Sequence, residues 1–303
     1  MYAIELQDVR KSFGPVRAVD ALSIRVPQGA VYGFLGPNGA GKTTTLRMVM
    51  DIIRPDSGEI RMFNEPASAT VRGRVGYMPE ERGLYRKMTV ASVLRYFGSL
   101  RGMTADQLGQ RVPAWLERID LAGHATKKVE ELSRGMHQKL QFAVTVIHDP
   151  DLVILDEPFS GLDPVNQDVL RDIIDAMRRE GRTVLFSTHG MHEAEQLCDF
   201  IVLIDKGKVV VDGTLDQIRA GHEARTVSIE LEGDAGFVER LPQIAAVRHD
   251  GRRIDVTLRE GADPQDLLRT LVERARVRVF EIRQPSLHEI FVRLVGDNHA
   301  EDR

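Results

Sequence analysis

Gly36-Pro37-Asn38-Gly39-Ala40-Gly41-Lys42-Thr43 lies between an apolar run, Val31 to Leu35, and a segment of helical periodicity expected to span Thr44 to Ile53. Glycines let such a loop turn its backbone N–H groups inward around phosphate oxygens. The following helix N-terminus adds positive potential, the lysine offsets β/γ charge, and the threonine hydroxyl suits Mg²⁺. A glycine-rich turn with a solvated lysine would carry the same letters, but the strand before and the helix after are the context that a triphosphate demands. A second constellation is Leu152-Val153-Ile154-Leu155-Asp156-Glu157. Four aliphatics drive this strand into a core and deliver both carboxylates to the sheet's C-terminal edge, where ligands of open α/β sheets bind. Asp156 is placed to hold a metal's hydration shell, and Glu157 to polarise an attacking water as general base. Alone, the run reads equally as a strand end with a surface turn. Beside the loop at Gly36 it reads as the hydrolytic half of one site.

The elements that must position these groups follow from periodicity. Over about the first 220 residues, short β-branched runs alternate with longer helical patterns, which points to βαβ units and a parallel sheet covered on both faces. Ala3 to Leu6 and Leu22 to Val26 instead alternate apolar with polar, punctuated by Pro15 and Pro27-Gln28-Gly29, and predict a small antiparallel edge sheet. Between Thr89 and His148 strand signals vanish and helical periodicity takes over. The sheet resumes at Leu152 and again at Thr183 to Phe186. A composition change near Gly221-His222-Glu223-Ala224 opens a small α+β domain. There Thr226 to Leu231 and Ile254 to Leu258 alternate, Asp263-Pro264 caps a helix with Leu267, Leu268, Leu271 and Val272 on one face, and Ser286 with Glu289 forms a capping box. Leu287, Ile290, Phe291, Leu294 and Val295 follow at helical spacing.

Composition sets outer bounds. The 303 residues carry 41 Lys+Arg against 45 Asp+Glu, a net charge of −4, which argues against a nucleic-acid partner. A hydrophobic content of 42% supports real cores and excludes disorder. The longest apolar stretches, such as Ile201 to Ile204, fall far short of the roughly 18 residues of a membrane span. No leader-like segment is visible, and the single cysteine, Cys198, cannot close an intrachain disulfide, so a reducing cytoplasm is expected.

These residues resemble the nucleotide-binding subunit of ATP-binding cassette (ABC) transporters over residues 1 to about 220. Leu132-Ser133-Arg134-Gly135-Met136 looks like the family's signature loop, which reaches across a head-to-tail homodimer to the partner's bound ATP; without a ligand, Ser133 would look the same as a plain helix N-cap. Phe13 sits where the family has an aromatic that stacks on adenine, although a lone phenylalanine also reads as core. Ser160-Gly161-Leu162-Asp163 resembles the loop linking the two ATP sites. His189 resembles the switch histidine at the γ-phosphate; an ordinary loop histidine, or a zinc pair with His192 that lacks a third ligand, is the other reading. Three departures stand out: Arg134 for the usual glycine, Met136 for glutamine, and Glu80, after Tyr77-Met78-Pro79, for the glutamine that precedes the helical subdomain. The stretch Glu80 to Tyr85 resembles ATPases that partner ABC-2-type permeases, and Ser286 to Leu294 resembles their C-terminal accessory domain.

The resemblance implies an α/β P-loop NTPase core with an antiparallel edge sheet and a helical subdomain (about 89–148) within residues 1–221, a C-terminal α+β domain at 222–297 and a polar tail at 298–303. It implies ATP held by Gly36, Pro37, Asn38, Gly39, Ala40, Gly41, Lys42, Thr43, Thr44 and Phe13, with Mg²⁺ on Thr43, Asp156 and Glu80. Glu157, His189 and Lys42 would carry hydrolysis. The expected setting is the cytoplasmic face of the cell membrane, on a separately encoded permease, with export favoured and no nucleic acid. In the dimer, Arg134 is expected to approach the partner's ATP and there offset Glu80. Two other readings share the motifs: a non-transport ABC ATPase acting on ribosome or DNA, and a subunit whose C-terminal domain senses a ligand. The transported substrate is not encoded in this chain, because the permease selects it.

Overall fold

In the computed structural model, which describes residues 1–66, 68–81, 83–220, 226–233 and 235–301, the expected alternation becomes a long hairpin. Strand β1 (Tyr2–Phe13) pairs antiparallel with β2 (Val16–Pro27) and turns at Gly14-Pro15, with Ala3, Ile4, Leu6 and Val9 facing the core. All five residues of β3 (Val31–Leu35) are buried. Helix α1 (Lys42–Val49) starts two residues before the expected Thr44, because Gly41 takes the left-handed turn and leaves Lys42 already helical. It also stops short of Ile53: Met50 closes it, and Asp51 adopts a left-handed φ of 56°. Strands β4 (Ser57–Met62) and β5 (Glu65–Pro66) complete an antiparallel sheet of order β2-β1-β4-β5.

Helix α2 (Ala69–Gly73), capped by Ser68, leads into β6 (Val75–Met78). The helical insert follows as α3 (Val90–Leu100), α4 (Ala105–Arg118) and α5 (Arg134–Val146), each opened by a hydroxyl N-cap: Thr89, Thr104 and Ser133. Then come β7 (Leu152–Asp156), α6 (Pro164–Arg179), β8 (Thr183–Thr188), α7 (Met191–Leu197), β9 (Phe200–Asp205), β10 (Lys208–Thr214) and α8 (Leu215–Ala220). The six-stranded central sheet runs β10-β9-β3-β8-β7-β6, parallel except for the β9–β10 hairpin. Burial on both faces explains why β3, β7 and β8 read as continuous apolar runs. At their C-terminal ends Leu35 pairs with Thr188 and Asp156 with Ser187, which gathers the loops that follow.

Residues Met1–Leu215 form one compact unit and Asp216–Arg303 a second. The second unit holds β11 (Thr226–Glu232), β12 (Ile244–Asp250), β13 (Arg253–Leu258), α9 (Pro264–Arg274), β14 (Arg276–Arg283) and α10 (Leu287–Glu301), with an antiparallel sheet of order β12-β13-β11-β14. The boundary expected at 221–222, and residues 302–303 of the expected tail, lie outside the described residues. β13 alternates as expected, but β11 does not, since Ser228 is buried between Val227 and Ile229. On α9 only Leu267 and Leu271 are buried, while Val272 is exposed, so its apolar face is narrower than the sequence pattern. The Ser286–Glu289 capping box forms, and Leu287 and Ile290 are buried behind it. Because this unit has its own cluster around Val227, Ile229, Val256 and Leu267, a chain ended after Ala220 is expected to unfold cooperatively. A melt without a cooperative transition would contradict this.

Candidate functional site

The loop from β3 to α1 is shaped by two close approaches. A Cβ on Gly36 would overlap the Ile204 carbonyl, and one on Gly41, at φ 103°, would overlap the Ala18 carbonyl. Only glycine lets the loop pass between β9 and β2 in this conformation. Lys42, buried at the start of α1, curls back so that Nζ donates to the carbonyls of Gly36 (2.7 Å) and Pro37 (3.2 Å). The lysine therefore braces the loop as well as charging it.

At the end of β7, Asp156 is fully buried and accepts a hydrogen bond from Ser187 Oγ at 2.5 Å through Oδ1. Its other oxygen, Oδ2, is buried without a protein partner. Burial, then the charge of Asp156, pushes the phenol of Tyr77 up to about 12. Glu157 adopts φ 51°, a left-handed conformation that costs a non-glycine residue energy and is held by its neighbours. Its backbone N–H reaches Ser187 Oγ (3.1 Å) and the Ser187 carbonyl (3.2 Å) on β8. The twist aims its carboxylate at Lys42 Nζ, 3.6 Å away, and at His189 Nδ1, 3.0 Å from both carboxylate oxygens.

One cavity of about 470 Å³ collects Asn38, Gly39, Gly41, Lys42, Thr43 and Thr44 with Glu80, Glu157, Ser160 and His189. Gly36, Pro37 and Ala40 shape the loop behind it. Phe13 stands elsewhere: its ring is half exposed, so the core reading is corrected, and Lys11 Nζ lies 5.6 Å from its centroid. His192 lies against Gln196 on α7, while His189 is engaged by Glu157. Ser133 accepts from the Met136 N–H as the α5 N-cap and lines a separate cavity with Leu132 and Arg134. Gly135 packs near Leu162 and Asn166, and Asp163 caps α6, where the Asn166 backbone N–H holds its carboxyl below the usual value. Glu80 and Arg134 line one cavity within a single chain. Sequence reasoning missed three supporting residues: Ser187, Gln138 and Gln141. Their signal was faint, a polar residue at a buried strand end and two amides on a helix that is mostly buried.

A parallel sheet with a lysine-bearing phosphate loop after one strand and Asp-Glu at the end of another defines a P-loop nucleotide hydrolase. The ABC transporter family profile matches residues 19–160, and that of the DrrA1-3-like ATP-binding protein C-terminal domain matches 213–295. The uncharacterized ABC transporter ATP-binding protein YhaQ of Bacillus subtilis is 38% identical, over 97% of this chain and 98% of the relative. Nod factor export ATP-binding protein I of Paraburkholderia xenovorans is 37% identical over 97% of each chain. The daunorubicin/doxorubicin resistance ATP-binding protein DrrA of Streptomyces peucetius is 33% identical, over 99% of this chain and 94% of the relative. A solved ATP-binding subunit of an ABC transporter superposes with a TM-score of 0.68 at 29% identity, over 72% of this chain and 92% of the other. The chain belongs to the ABC transporter family of ATP-binding proteins and is an ATPase.

Proposed function

We propose that ATP is hydrolysed in the 470 Å³ cavity and that the energy drives a separately encoded ABC-2-type permease, as an exporter. The observation that carries the reading is the convergence of Lys42, Glu157 and His189, brought from three separate segments of the chain. Loop N–H groups and Lys42 bind the β/γ-phosphates, and Phe13 offers its exposed ring to adenine. Glu157 takes the proton of the attacking water, while His189 orients Glu157 and faces the γ-phosphate. Mg²⁺ fits the donor set, since Asp156 Oδ2 is a buried acceptor with no protein partner; Thr43, Asp156 and Glu80 would hold it. When bound, the ion would neutralise phosphate charge.

Two chains would sandwich ATP, with Leu132 to Met136 and the Ser160 to Asp163 loop meeting the partner; in support, Ser133 does not line its own chain's phosphate cavity. Residues 1–221 would form the ATPase domain and 222–297 the accessory domain. The export reading draws on the name of the similar Nod factor export ATP-binding protein I, and on the likeness to the resistance ATP-binding protein DrrA. No helix of the described residues is long and apolar enough to cross a membrane. A groove of about 350 Å³ lined by Tyr77, Pro79, Leu84, Phe97, Leu100 and Val144 suits a short amphipathic helix of the permease, and Leu100 is 63% exposed. The chain would then sit at the cytoplasmic face of the membrane. Co-expressed with the polytopic protein of a neighbouring reading frame, the chain is expected to co-purify in detergent, and Leu100→Glu to release it. Absence of co-purification, or Leu100→Glu co-purifying at wild-type yield, would contradict the reading.

A further inference from the structure

Helix α5 carries a polar stripe toward the site. Arg134, Gln138 and Gln141 stand at i, i+4 and i+7, and so share one face. Buried Gln138 donates from Nε2 to the Pro158 carbonyl at 3.1 Å and holds the segment that follows Glu157. Buried Gln141 donates to the carbonyls of Pro79 (2.8 Å) and Glu81 (3.2 Å), the residues on either side of Glu80. α5 thus grips both carboxylate-bearing segments. Arg134, at the helix entry, lays its guanidinium over Gly161, where a Cβ would overlap it; Gly161 presents that bare face at φ 73°. Arg134, Gln138, Glu80, Glu157 and Ser160 then line one cavity of about 350 Å³.

We propose that Arg134 is a positioning residue acting within its own chain: it seats the Ser160-Gly161 turn and places a positive charge across the cavity from Glu80 and Glu157. The inference deepens the ATP-site reading and rests on it. Glu80 adds a negative charge beside a polyanionic nucleotide, and an arginine facing it removes much of that repulsion even after solvent screening. The departures at positions 80 and 134 are then one device, a carboxylate and its local counter-charge. Because Arg134 is exposed, its influence is a matter of affinity rather than of folding.

Two cycles on the full chain test this. In steady-state hydrolysis, Gly161→Ala, whose Cβ displaces the Arg134 guanidinium, is expected to raise KM for MgATP about threefold or more, and by less than about twofold in an Arg134→Gly background, where there is no guanidinium to displace. Equal rises in both backgrounds would overturn the seating role. In steady-state hydrolysis, Arg134→Gly should raise KM for MgATP about tenfold with kcat changed less than about threefold. Adding Glu80→Gln should bring KM back to within about threefold of wild type, and Arg134→Lys should keep it there. Independent, multiplying effects would overturn the charge role. In dimers mixed from differently tagged chains, recovery is expected only when both substitutions share a chain; recovery when they are split would overturn the assignment within one chain. ATP binding that survives Lys42→Ala unchanged, with the Gly161 and Arg134 substitutions still coupled, would strike the ATP reading instead and leave the packing standing.

Discussion

Glu157→Gln is expected to retain MgATP binding while turnover falls about 10²- to 10⁴-fold, the usual weight of a positioned general base. The amide is nearly isosteric, so it can hold a water near Lys42 and His189, but it cannot take the water's proton. The backbone at this position makes the test sharp. Its φ of 51° is fixed by the N–H bonds to Ser187, which glutamine keeps, so a loss of turnover reports the carboxylate rather than a displaced loop. Steady-state phosphate release, read beside nucleotide affinity, checks it. Activity above about a tenth of wild type would remove Glu157 as the base.

Lys42→Ala is expected to fail earlier, at binding. Lys42 is 6% exposed and bridges the Gly36 and Pro37 carbonyls, so its removal deletes the charge that meets the phosphates and also the brace that holds the loop around them. Truncating one partner of a buried charge pair costs about 2–5 kcal/mol, which weakens ATP affinity roughly 30-fold or more. Titration of a fluorescent ATP analogue measures it. Unchanged affinity would contradict the phosphate-loop assignment.

The parts of this molecule that were legible in its sequence are those whose physics is local. A phosphate loop needs its glycines, lysine and threonine contiguous, and a doubly covered strand must be an unbroken apolar run, so Gly36 to Thr43 and Leu152 to Glu157 announced themselves. The edge hairpin, the helical insert and the capping box at Ser286 were legible for the same reason. Strands β10, β12 and β14 were not, because charged and half-exposed residues blunt their alternation; no residue of Arg276–Arg283 is fully buried. Contacts that depend on distant segments were equally hidden. Nothing local distinguishes Gln141 as a clamp on Pro79 and Glu81, and the left-handed turn at Glu157 arises only because β8 offers Ser187 beside it. Arg134 was visible as a departure, but its seat on Gly161 depends on how α5 packs against the Ser160 to Asp163 loop.

The most direct measurement is the nucleotide retained by Glu157→Gln protein after incubation with Mg²⁺ and ATP and rapid removal of the free nucleotide. The account predicts about one nucleotide per chain, recovered almost wholly as intact ATP, against ADP or none from wild type and none from a Lys42→Ala/Glu157→Gln chain. Recovery of ADP from the Glu157→Gln chain, or equal retention after loss of Lys42, would contradict it.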